Sequence, residues 1–208
     1  MAIRENKVHV LGSPEIAMPI NQIYLDLEGD PDRDFYYLIG MIIVRDGVIE
    51  SKYSFWADDL KQEETIIHGF LDVIRGYSDF KVFHYGNYEA KFFSRLQRLA
   101  QPEDVEIINS IVDNSLNVLS LIYANVFFPT YSNGLKDIGT SLGVKWTSEN
   151  VSGIQSLVWR KIFEIYQEQT IKNKLIEYNI EVTLPFSFLV LLTFLVYHNQ
   201  PIYAGHGK

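Results

Sequence analysis

The run Gln22–Glu28, QIYLDLE, alternates strictly: Ile23, Leu25 and Leu27 fall on one side, and Tyr24, Asp26 and Glu28 on the other. Successive side chains of an extended chain point to opposite faces, so this pattern predicts a half-buried β-strand whose two carboxylates share a face. After the turn-rich Gly29–Asp34 come Phe35–Arg45, the pair Asp46-Gly47, and Val48–Trp56. Two strand-like runs split by Asp-Gly predict a tight hairpin. The chain therefore opens as a three-stranded antiparallel meander.

The periodicity then changes. Glu63–Tyr77 places Ile66, Ile67, Phe70, Leu71 and Ile74 at helical spacing, Lys81–His84 reads as a short buried strand, and Tyr88–Leu99 carries Phe92, Phe93, Leu96 and Leu99 on a helical stripe. From Asn117 onward the pattern is largely helical. One segment lies around Leu119–Phe127 and stops at Pro129, and Leu135–Leu142 is closed by Gly143; two further helices fit Gly153–Gln167 and Ile171–Glu181. A meander followed by alternating helices and short strands predicts an α/β fold with a mixed sheet and a helical C-terminal half. The expected organisation is a lead-in over residues 1–20, one domain over 21–182 and an atypical apolar tail over 183–208.

With 208 residues, 47% of them apolar, the chain can bury a core of its own. The absence of cysteine excludes disulfide scaffolds, thiolate zinc sites and thiol nucleophiles, and is compatible with the cytoplasmic location expected here. A net charge of −8 argues against a simple nucleic-acid coat. That acidity belongs to residues 1–128, with eleven basic and twenty acidic residues, whereas 129–180 hold six and five. Leu184–Tyr197 is the longest apolar run and is shorter than the ~20 residues a membrane helix needs, so no membrane association is expected.

Two carboxylates on one face of a central strand are a natural seat for Mg²⁺, which takes a few carboxylate oxygens and leaves its remaining positions for water and phosphate. A solvated edge strand would show the same alternation. More specific is the ordered set IYLDLEGDPDRDFYYLIGM (Ile23–Met41), SFWAD (Ser54–Asp58), HYGNYE (His84–Glu89), FPTYSNGLKDI (Phe128–Ile138), GIQSLVWR (Gly153–Arg160) and Tyr178-Asn179. Together these motifs resemble the ribonuclease H-like exonuclease domain of RecB-like putative nucleases, a branch of the DEDD 3′–5′ exonuclease superfamily, over about Lys7 to Glu181.

The resemblance implies a metal-dependent 3′–5′ exonuclease. Asp26 and Glu28 match the first motif, whose carboxylates hold a pair of Mg²⁺ or Mn²⁺ ions on the scissile phosphodiester. Glu89, after Tyr88, stands where the third acid is expected. In the third motif a Tyr, here Tyr178, precedes an Asp by four residues, but position 182 is Val. Glu181, adjacent to it, is the candidate for the last metal ligand, but a step of one residue rotates a side chain by about 100° around the helix, so it replaces the Asp only if the helix end distorts. The tail beyond departs from the pattern as well; a shifted reading frame through Val182–Phe186 would account for both departures, and an intact frame on resequencing would remove that explanation. The implied partners are a single-stranded DNA or RNA end and nuclease or helicase domains of the same system.

Lys136, Arg160 and Lys161 are candidate phosphate-binding residues, although scattered cations on helices usually just keep a surface wet. His84 at the end of a buried strand reads as a hydrogen-bonded core residue, and Trp146 and Trp159 as packing in the helical half rather than base-stacking platforms. No phosphate-cradling Gly-rich loop or nucleophile elbow is present. The alternative function is a catalytically inactive ribonuclease H-like module that binds nucleic acid or a partner domain, with Val182 as its main support.

Overall fold

Alternating and continuous apolar runs become strands, and stripes at helical spacing become helices, in the order that the patterning predicts. The computed structural model describes residues 2–11, 18–146 and 153–199. In chain order its elements are α1 (Ala2–Glu5), β1 (His9–Val10), β2 (Asn21–Asp30), β3 (Phe35–Arg45), β4 (Val48–Trp56), α2 (Glu63–Arg75), β5 (Phe80–His84), α3 (Tyr88–Leu99), α4 (Val105–Asp113), β6 (Ser115–Asn117), α5 (Val118–Asn125), β7 (Val126–Phe127), α6 (Leu135–Ser141), α7 (Gly153–Tyr166) and α8 (Gln169–Asn199).

A five-stranded mixed sheet of order β4-β3-β2-β5-β6 forms the centre, and β1 pairs with β7 in a small antiparallel ladder. β2 is the middle strand, antiparallel to β3 and parallel to β5. The hairpin turns at Asp46-Gly47, where both residues have positive φ, 50° and 76°, as a tight hairpin requires.

β2 is buried on both faces, where its alternation alone predicts one solvated face. Ile23, Leu25 and Leu27 enter a core with Phe70, Ile74 and Phe92 from α2 and α3. Tyr24 enters a second core with Phe83, Ile122, Ile138, Phe186 and Val190. Helices cover both sides of the sheet, so the polar-looking face of β2 is interior too. A register shift between Glu28 and Gly29 then interrupts the β2–β3 ladder immediately after the second carboxylate. Such irregularities re-aim side chains and recur beside active sites.

Five short elements escape the sequence reading: α1, β1, α4, β6 and β7. α4 spans nine residues and β6 three, and α4 buries Ile108 and Ile111. The last helix also departs from expectation, because α8 continues across position 182 through Pro185 to Asn199. Phe186 meets Tyr24 edge-on at 5.7 Å, and Val190 is 1% exposed. The expected boundary between 182 and 183 therefore carries no break, and the apolar segment begins as core. Among the described residues no helix is long and apolar enough to cross a membrane.

Candidate active site

Asp26 and Glu28 project from the same face of β2 and retain partial exposure. α3 starts at Tyr88 and delivers Glu89 from its first turn into the interior, 3% exposed. The three acids act on one another. Burial first, then the charges of Glu28 and Glu89, hold the Asp26 carboxyl well above the usual range. Burial likewise lifts Glu28 to about 7, with the Glu89 charge adding to the rise and a hydrogen bond from Ser156 opposing it.

Two neutral donors offset this crowding. Asn179 on α8 donates from Nδ2 to Asp26 Oδ2 at 2.7 Å, and Ser156 in the first turn of α7 donates from Oγ to Glu28 Oε2 at 2.6 Å. Both partners lie more than a hundred residues from β2 in sequence. Asn179 fits because Gly40, paired with Asp26 across the ladder, has no side chain: a Cβ there would lie 1.6 Å from Asn179 Oδ1. Sequence analysis missed the role of both residues, although a Gly inside an apolar strand does signal close approach of another group.

Tyr178 comes to the same place. It is 7% exposed, and burial together with the charges of Glu28, Asp26 and Glu181 keeps its hydroxyl firmly protonated. The Lys136 ammonium, from α6, lies 5.1 Å from the Tyr178 ring centroid and 5.9 Å from that of Trp146. Burial lowers the Lys136 pKa, and the Glu181 charge opposes that. Glu181 thus belongs to the Lys136–Tyr178 side; the charges that raise Asp26 and Glu28 come from within the trio.

Arg160 and Lys161 are placed differently. Arg160 is 1% exposed, donates to the carbonyls of Ala57 and Asp58 and to Glu164, and lies within 5.5 Å of the ring centroids of Phe35, Tyr37, Trp56 and Phe163. Its guanidinium ties α7 to the end of β4. Lys161 is exposed and pairs with Asp30 at 2.8 Å. His84 is buried with Nδ1 3.1 Å from the Gly86 carbonyl, the core role expected of it, and 3.7 Å from Glu89 Oε2.

Among the described residues, no three Asp, Glu or His side chains are gathered closely enough to hold a metal ion as they stand. The donor set nevertheless fits a hard cation. Three hard oxygen donors repel one another, and Glu89 Oε2 and Asn179 Oδ1 are buried with no hydrogen-bond partner.

Comparison with known proteins agrees with this fold. A family model of the RNase H superfamily matches residues 23–189, from β2 into α8. No curated protein and no solved structure matches the chain. The chain belongs to the RNase H superfamily.

Proposed function

We propose that this RNase H superfamily member is a metal-dependent nuclease that shortens nucleic acid from a 3′ end. The observation that carries this reading is the trio Asp26, Glu28 and Glu89, two half-buried acids on the central strand and one buried acid at the start of α3, whose charges act on one another. Asp26 and Glu28, with Glu89, would hold Mg²⁺ or Mn²⁺, which supplies a polarised phosphoryl oxygen and a more acidic water. The chain's own residues do the rest. Asn179 fixes the Asp26 carboxylate, Ser156 fixes Glu28, and the protonated Tyr178 hydroxyl is a donor for the attacking water or a phosphate oxygen. The 3′ polarity comes from the motif resemblance.

Val182 stands where that resemblance implies the last acid, one helical turn beyond Tyr178 and partly buried. Loss of an anionic ligand there weakens catalysis by about a thousandfold, several kcal/mol of transition-state stabilisation. The test is digestion of end-labelled single-stranded DNA and RNA with Mg²⁺ or Mn²⁺. Slow shortening from the 3′ end is expected, abolished in Asp26→Asn and accelerated in Val182→Asp. Strand binding without digestion by either the unmodified chain or Val182→Asp would overturn the nuclease reading in favour of an inactive binding module.

A further inference from the structure

A groove of about 600 Å³ runs along α3, beginning beside the carboxylate trio and lined by Tyr36, Tyr88, Lys91, Arg95 and Arg98. Its inner end is set by Tyr88, whose hydroxyl would lie 2.2 Å from a Cβ on Gly29, the residue that follows Glu28. The groove and the trio are therefore neighbours.

The floor is rigid. Tyr88 packs on Tyr36 at 5.2 Å between centroids, and Arg95 lies 5.5 Å over Tyr36 while its two terminal nitrogens reach both oxygens of Glu63 at 2.6 and 2.9 Å. Its acids are already matched: Asp30 by Arg33 and Lys161, and Asp34 by Arg95. Lys91 and Arg98 remain. Both are exposed, on one face of α3 seven residues apart, and neither forms an ion pair with a described residue. In a chain of net charge −8, two uncommitted cations on one groove are a local exception.

We infer that this α3 groove holds the single strand entering the carboxylate site, with Lys91 and Arg98 on its phosphates and Tyr88 under a base. Seven helical residues rise about 10 Å, the span of about three stacked nucleotides at 3.4 Å each. A positive groove with an aromatic platform is the chemistry that binds single strands without reading sequence. The inference rests on the nuclease reading of the adjoining site and assigns that site its substrate track.

Binding of fluorescein-labelled oligothymidylate in EDTA, followed by anisotropy across a salt series, separates this inference from catalysis. In Lys91→Gln/Arg98→Gln the affinity is expected to fall about tenfold, and the log–log salt slope to become shallower by about 1.4, at about 0.7 per lost phosphate contact. Removing two exposed cations elsewhere, Lys52→Gln/Lys174→Gln, is expected to change neither quantity. Unchanged affinity and slope in the α3 double variant, or an equal loss in the control, overturns the groove assignment. Digestion that persists in that case leaves the nuclease reading standing, whereas the predicted binding loss with no digestion by either the unmodified chain or Val182→Asp overturns the nuclease reading and leaves the groove as a strand-binding surface.

Discussion

Asn179 contributes the hydrogen bond that Asp26 most needs, because in its absence the carboxylate would face Glu28 and Glu89 with little compensation. Asn179→Ala is expected to lower stability by about 1–3 kcal/mol, the usual cost of stranding a buried polar partner, as read by urea unfolding at neutral pH. Gly40→Ala should do comparable damage without deleting a polar group, since its new methyl would collide with the Asn179 carboxamide. Glu28 makes the metal-free protein sensitive to pH. Its folded pKa of about 7 exceeds the 4.5 of the unfolded chain, so between these values the folded state binds more protons. Stability is therefore expected to fall as pH rises from 4.5 to 7, and Asp26, raised in the same direction, adds to the loss. Thermal melts of metal-free protein should show it, and the decline should flatten in Glu28→Gln. That Asp26 and Glu28 share one face was legible in the sequence because both lie on one alternating strand. Asn179 and Ser156 were not, because no local pattern shows which polar side chain from a distant helix will meet a given carboxylate.

α8 joins two functions in one element, with Tyr178 and Asn179 at the site and Phe186 and Val190 in the core behind β2. Phe186→Ala is expected to cost about 3–5 kcal/mol, the range for emptying a buried aromatic site, and to weaken the site by releasing the helix that holds it. Unfolding energies close to those of the unmodified protein would show that the segment past 182 is dispensable. The other connector is Arg160, whose donors bind α7 to the chain just after β4. Arg160→Ala leaves the carbonyls of Ala57 and Asp58 without their donor and Glu164 with Arg33 as its donor, and about 3–5 kcal/mol of destabilisation is expected in the same assay. The sequence revealed the apolar character of the segment after 182 but not its placement, because the run is too uniformly apolar to mark a face. It placed the Arg160 helix correctly but gave no sign that a charged residue would be enclosed by four rings.

Across the whole molecule, the central strand puts negative charge where the sheet is covered from both sides, an arrangement costly unless a cation joins it. The meander, the short strand β5 and the start of α3 were all visible as changes of period, and together they bring Asp26, Glu28 and Glu89 near enough for their charges to act on one another. Their mutual electrostatics could be known only once the helices had closed over β2. The account stands most directly on calorimetric titration of Mn²⁺ into the metal-free protein at pH 6, repeated in buffers of different ionisation enthalpy. Glu28, at about 7, is then mostly protonated, so binding is expected to release more than about half a proton per ion and to disappear in Asp26→Asn. Equal binding by the two proteins, or binding with no proton release, would contradict it.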